Sequence, residues 1–196
     1  MIIPVVIILV LVVGVGVAVV GCRTSRTAYE SAPYQVVRTE GKFELRDYPA
    51  LTVVETPMQS GGNGDGSFMR LFGFITGRNA TKQKISMTTP VFMAGGGTNR
   101  TMAFVLPAKL PTGQVPPPID PTLTVRELPA GRFGVLRFSG GRSARHEADS
   151  LRQLQAWLTA QNLSAPATNP VFGYFDPPWT PPFLRRNEVM LPIVSP

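Results

Sequence analysis

The chain has 196 residues, with 19 Lys and Arg against 12 Asp and Glu for a formal net charge of +7, and 43% of its residues are hydrophobic; that length holds one compact domain or two small ones. Charged residues are only 16% of the chain and form no block of five like charges, which argues against a solvating tail and a basic arm for nucleic acid. One Cys and one His exclude an internal disulfide framework and a Cys/His zinc site.

Ile2 to Val20 is an uncharged run of 19 residues, mostly Val and Ile, and as a helix it would reach about 28 Å, close to the hydrocarbon thickness of a bilayer. It ends in Val19-Val20-Gly21-Cys22, which resembles a bacterial lipobox: small and aliphatic residues before a cysteine that becomes lipidated. Residues 1–21 are therefore expected to be a signal peptide or membrane anchor, Cys22 a lipidation site and residues 22–33 a flexible tether, ahead of a domain over residues 34–194. Two features fit a signal poorly. No Lys or Arg precedes the run, and the run exceeds the usual h-region of about 7–15 residues. The alternative is an uncleaved anchor, for which the following Arg23 and Arg26 would place the domain in the cytoplasm.

Alternating patterns predict strands at Tyr34 to Arg38, Phe43 to Tyr48 and Leu51 to Glu55. Ser60 to Gly66 is Gly-rich but lacks the Lys-Ser/Thr of a P-loop, so it reads as a flexible turn. A helix follows, with Phe68, Leu71, Phe72 and Ile75 as its core stripe, Met69 and Phe74 on the flanks, and Arg70 opposite. Ala94 to Asn99 reads as a hairpin tip, and Thr101 to Leu106 as a strand. Pro107 to Pro121 holds six prolines in fifteen residues and reads as a stiff surface connection. Strands are then predicted at Leu123 to Glu127, Arg132 to Arg137 and Glu188 to Ile193. Between the last two lies a second helix, whose buried stripe is Ala144, Ala148, Leu151, Leu154 and Leu158. His146, Gln153 and Trp157 fall on its opposite, solvent-facing side.

The chain also repeats itself. Tyr48-Pro49-Ala50 recurs as Leu128-Pro129-Ala130, and Thr89-Pro90-Val91-Phe92 as Asn169-Pro170-Val171-Phe172, both at an offset of 80 residues. Matching elements lie between the markers, so the domain is a tandem duplication. A β-β-α-β unit of this size leaves one sheet face bare, and two copies must cover each other. The expected fold is α+β: a duplicated βα unit forming a distorted, partly open β-barrel flanked by two helices.

Catalytic signals are sparse. The lone His lies on an exposed helix face, no nucleophile elbow is present, and no carboxylate pair stands at general acid/base spacing. The positive charge is diffuse and fits an anionic membrane surface better than nucleic acid. Arg185-Arg186, after Asp176-Pro177-Pro178-Trp179-Thr180-Pro181-Pro182-Phe183, reads either as a bidentate grip for a ligand carboxylate or as exposed strand-edge charge.

Four segments together resemble the SOUL haem-binding protein family over about residues 34 to 194: Phe43-Glu44-Leu45-Arg46-Asp47-Tyr48-Pro49-Ala50, Ile85-Ser86-Met87-Thr88-Thr89-Pro90-Val91, Gly140-Gly141 with Glu147-Ala148, and Asp176-Pro177-Pro178 with Arg185-Arg186-Asn187-Glu188-Val189. The resemblance implies a duplicated barrel and binding of haem or related tetrapyrroles in an apolar cleft, without catalysis. A porphyrin needs apolar walls and cationic groups at the mouth. The candidate walls are Met69, Phe74, Met87, Met93, Tyr174 and Phe175, and the candidate carboxylate partners are Arg70, Arg185 and Arg186. Some relatives are thought to use a His ligand to iron; with His146 facing water and Cys22 outside the domain, haem is expected to bind here without a strong axial ligand. The expectation is thus a binder in the bacterial cell envelope, membrane-anchored, with its domain periplasmic or extracellular. The alternatives are a small-substrate hydrolase, which a cavity holding a buried Glu near a Tyr would favour, and a ligand-free interaction scaffold.

Overall fold

The computed structural model describes residues 29–58, 66–95, 99–166 and 169–194. The signal or anchor, Cys22, most of the Gly-rich turn and the centre of the tip after Gly95 lie outside the described residues, as does the tether up to residue 28. The end of the tether segment, in contrast, is part of the fold. Strand β1 (Glu30–Ser31) pairs in parallel with β5 (Thr88–Thr89), and Ala32 is buried.

The predicted strands reappear with small shifts at their ends, as β2 (Gln35–Glu40), β3 (Phe43–Tyr48), β4 (Leu51–Pro57), β7 (Thr101–Val105), β8 (Thr124–Leu128), β9 (Gly131–Phe138) and β11 (Asn187–Pro192). Beside them stand β6 (Val91–Ala94) and β10 (Val171–Tyr174), built from the two repeat markers. The β2–β3 hairpin turns at Gly41, whose φ of +59° suits a residue without a Cβ. Nine strands form one sheet in the order β2-β3-β9-β11-β10-β6-β7-β4-β8.

That order reveals how the two copies cover each other. β3 and its counterpart β8 each pair with the following strand of the other copy rather than of their own: β3 with β9, and β8 with β4. The registers correspond under the 80-residue offset, Tyr48 opposite Gly131 and Leu128 opposite Leu51. At the centre β6 and β10 run antiparallel, Val91 opposite Tyr174 and Ala94 opposite Val171, a register that the same offset maps onto itself. The halves are thus fused through an exchange of strands along one curled, partly open sheet.

One sheet face turns inward. Tyr48, Leu51, Val53, Phe92, Ala103, Val105, Val135 and Met190 fill it, leaving only about 50 Å³ between Leu51, Leu128 and Phe133. The outer face carries helix α1 (Ser67–Ile75) over the first half and α2 (Ala144–Ala160) over the second.

Both helices are turned relative to expectation. α1 buries Ser67, Leu71, Phe74 and Ile75, whereas Phe68 and Phe72 are 43% and 39% exposed, a rotation of roughly 60° at 100° per residue. Apolar residues surround this helix, so their spacing does not define the buried arc; the small Ser67 and Gly73 allow the close approach. α2 buries Glu147, Ser150, Leu154, Trp157 and Leu158, while Ala144 and Ala148 are exposed. Trp157 stacks on Phe43 at 5.1 Å, and Glu147 finds polar partners that make its burial tolerable. Pro107 to Pro121 is more than a connection: Leu110 and Val115 pack against the α1 core, and Ala80 donates to the Pro117 carbonyl.

Candidate functional site

Between the N-terminal ends of α1 and α2, over the central strands β6 and β10, lies a cavity of about 440 Å³, within the range of small-molecule sites. Met58 closes β4, Phe68 and Met69 come from the first turn of α1, and Val91, Met93 and Met102 rise from β6 and β7. Four thioethers in one wall make a soft, adaptable apolar surface. The polar side is Arg142, Tyr174, Asp176, Arg185 and Asn187.

The start of α2 positions the polar side. Ser143 caps the helix by accepting from the His146 amide at 3.2 Å, which sets Arg142 just outside the first turn and Glu147 within it. Tyr174 donates its hydroxyl to Glu147 Oε1 at 2.6 Å, and Arg100 Nη2 donates to both oxygens of Glu147 at 3.2 and 3.1 Å. Burial, and then the Glu147 carboxylate, push the Tyr174 phenol above its ordinary pKa, so it meets the cavity as a neutral group. Arg142 makes no hydrogen bond or ion pair among the described residues. Arg185 is held by the carbonyls of Thr180, at 2.7 Å, and Pro178, which folds residues 175–186 around its guanidinium.

Of the nine side chains expected at a site, Met69, Met93, Tyr174 and Arg185 converge here. Phe74 is fully buried beneath α1, and Met87 packs against the same core. Arg70 donates to Thr56 Oγ1 and to the Pro57 carbonyl. Phe175 is buried beneath the Arg186 guanidinium at 4.1 Å. Arg142 was missed because it lies between Gly140-Gly141 and the helix cap, where an isolated charge carries no periodic signal.

Arg186 belongs to a second cluster, on the inner sheet face. Arg46 is fully buried and donates to both oxygens of Glu188 at 2.8 and 3.0 Å, to Glu44 at 2.6 Å and to the Tyr48 hydroxyl at 3.0 Å. Arg186 donates to Glu188 at 2.6 and 3.0 Å, and Arg137 pairs with Glu44. Burial opposes charge on Glu188, but the two guanidinium groups outweigh it and hold its pKa below the usual 4.5. Burial, the leading cause, pushes the Tyr48 phenol up to about 12. Glu44, Arg46 and Tyr48 share one face of β3, and Arg186 and Glu188 one end of β11. Two of the motifs that carry the family resemblance therefore meet as a buried ion cluster, not as a ligand site.

His146 is exposed, its Nδ1 lies 2.8 Å from the Gly141 carbonyl, and it is not among the residues lining the cavity. Among the described residues no three His, Cys, Asp or Glu side chains are grouped to hold a metal ion, and no helix is long and apolar enough to cross a membrane.

Residues 29–192 match the family described as SOUL heme-binding protein. The chain belongs to that family. No curated protein matches it. Among solved structures it is similar to the C-terminal domain of EcmrR, with a TM-score of 0.55 and 13% identity, covering 83% of this chain and 99% of that one. A hydrolase from Listeria innocua gives 0.56 and 9%, covering 81% and 94%. An uncharacterized conserved protein from Listeria innocua gives 0.59 and 10%, covering 78% and 92%. At these identities the likenesses establish the fold alone. The cavity sets apolar walls against the guanidinium groups of Arg142 and Arg185, and its lining holds no imidazole.

Proposed function

We propose that this SOUL domain is a membrane-tethered, non-catalytic binding protein for haem, a related tetrapyrrole or a similar hydrophobic carboxylate. One observation carries the reading: a cavity of about 440 Å³ joins four Met side chains and Phe68 to the guanidinium groups of Arg142 and Arg185. The thioether wall takes the ring by dispersion and burial, and the arginines take the propionates through charge-assisted hydrogen bonds. Bound haem would supply a redox-active iron, but the His-free lining offers no imidazole for it. The thioethers and the Tyr174 phenol, already bonded to Glu147, are the groups it offers instead, and binding is read as resting mainly on the macrocycle and its carboxylates.

Titration of the protein with hemin and protoporphyrin, followed by absorbance and tryptophan quenching, tests this reading. Saturable, stoichiometric binding is expected, with metal-free protoporphyrin binding about as well as haem. A sharp Soret shift abolished by His146→Ala would assign the iron to His146 and overturn the ligand-free account of the metal. The tether has its own test: lipid labelling of the natural sequence is expected and should disappear in Cys22→Ser, and membrane retention of the natural sequence without any labelling would identify an uncleaved anchor.

A second reading, hydrolysis of a small apolar substrate, is favoured by the buried Glu147 bonded to Tyr174 beside the cavity. Against it, the Glu147 carboxylate already holds Arg100 through both oxygens, which lowers its value as a general base. Turnover of activated esters that is lost in Glu147→Gln would favour this reading over simple binding. A scaffold without ligand has less support, because the cavity is open.

A further inference from the structure

The two halves differ at one place that the duplication does not explain. Up to β6 and β10 the offset is 80 residues, but Ala94 pairs with Thr101 across residues 95–100, whereas the corresponding Tyr174 pairs with Asn187 across residues 175–186, an offset of 86. The six added residues lie between β10 and β11, at the cavity mouth, where Asp176, Pro178 and Arg185 form part of the lining. They carry the most exposed aromatic side chains of the described fold: Trp179 is 82% exposed and Phe183 73% exposed. Across the mouth stand Met69, 60% exposed, and Phe68, 43% exposed.

Apolar groups gathered at one rim mark an interaction surface. The loop displaying Trp179 is built rather than slack: Thr180 donates to the Pro177 carbonyl, Arg185 gathers the Thr180 and Pro178 carbonyls, and Gly140 donates to Pro182. The prolines therefore hold the rings outward at little further entropic cost. Arg142 lines the same cavity, and Arg145, 89% exposed and only loosely paired with Asp149 at 3.8 Å, follows at the start of α2, so the rim carries cations as well as aromatic rings. Aromatic rings beside cations are suited to the headgroup region of an anionic bilayer.

The position of the tether points to the same partner. β1 pairs Ser31 with Thr89, two residues before the cavity residue Val91. Nine residues, Gly21 to Tyr29, separate the apolar run from β1, a reach of roughly 30 Å when fully extended. A bilayer holding the N-terminal run is therefore never far from the cavity.

We propose that the rim formed by Trp179, Phe183, Met69 and Phe68, with Arg142 and Arg145, docks onto the anionic surface of the membrane holding the tether, so that the cavity opens toward lipid and exchanges its apolar ligand there. This rests on the tethered-binder reading for the tether and the ligand, while the docking itself is read from the rim.

Trp179 is its own reporter, since the only other tryptophan, Trp157, is buried. Full-length Trp157→Phe protein is reconstituted into vesicles of phosphatidylglycerol and phosphatidylethanolamine and into vesicles of phosphatidylcholine. The expected result in anionic vesicles is a blue-shifted Trp179 emission, quenched by brominated lipid and shielded from aqueous iodide, with weaker lipid quenching in phosphatidylcholine. Trp179 open to iodide and untouched by brominated lipid overturns the proposal. Shielding from both quenchers also overturns it, by assigning the rim to a second copy of the chain. Equal lipid quenching in both vesicles overturns the choice of anionic lipid. If Trp157→Phe does not fold, 5-fluorotryptophan in the natural sequence gives two resonances, assigned with Trp179→Phe, and their broadening by lipid-borne nitroxide answers the same question. Protoporphyrin titration of the same samples, read by absorbance, reports ligand binding separately, so loss of docking and loss of binding are distinguishable.

Discussion

Arg186 commits its donors to Glu188 and Tyr34, whereas Arg142, the same residue type, makes no hydrogen bond or ion pair among the described residues and lines the cavity. The difference is one of address. Arg186 enters β11 beside the buried Glu188 carboxylate, and Arg142 precedes a helix cap and pairs with no acid among the described residues. Replacing Arg142 by Gln keeps a polar amide on a shorter side chain and removes one charge-assisted contact, which is worth about 1.5–3 kcal/mol when buried. Since Arg142 is half-exposed, protoporphyrin affinity is expected to fall about tenfold, near the lower end of that range. Titration of the dimethyl ester checks the cause, because the ester lacks the carboxylates and is expected to bind both forms alike.

Gly134 shows how an element is placed by what a residue lacks. It lies on β9 beneath α2, and a Cβ at that position would come within 2.7 Å of the Leu158 side chain. Leu158 is 2% exposed and enclosed by Leu45, Leu136 and Leu191, so it has little room to retreat. Gly134→Val is therefore expected to lower stability by about 1–3 kcal/mol, the usual range for overpacking, as measured by urea denaturation. Lifting α2 also moves Arg142 and Glu147, so the same variant is expected to bind porphyrin more weakly. A variant that is destabilised but binds normally would show that the cavity does not depend on the seating of α2. The helix stripes carry the opposite lesson. Leu154 and Leu158 fall where spacing puts them, but the buried places of Glu147 and Trp157 follow from Tyr174, Arg100 and Phe43, which come from other parts of the chain.

For the whole molecule, the buried ion cluster ties the first half to the last strand. Glu188 ionises in the native state below its usual 4.5. A carboxylate with a depressed native pKa contributes stability that is present above its unfolded value and lost as pH falls through its native value. The thermal midpoint is thus expected to hold steady from pH 7 to about 5 and to fall below pH 4.5, followed by circular dichroism. Glu188→Gln is expected to be less stable at pH 7, by about 3–5 kcal/mol because Arg46 is left with a broken buried pair, and to lose less on acidification. An acid limb as steep in Glu188→Gln as in the parent would place the titration elsewhere.

The N-terminal apolar run, the diffuse positive charge, the duplication, the strand segments and the family resemblance are all written in local order: periods of two, a recurring marker and contiguous motifs. Local order also marked Met69, Met93, Tyr174 and Arg185 as cavity candidates. It did not extend to the exchange of β3 and β8 between the copies, because two equivalent strands with matching patterns are interchangeable until both copies fold together. Nor did it separate Arg142 from Arg186, or reveal that Glu44-Leu45-Arg46 and Arg186-Asn187-Glu188 are one cluster. Burial and pairing are properties of neighbours brought from 142 positions away, and only the tertiary packing assigns those neighbours. For the same reason the candidate cavity lies between the helices, over β6 and β10.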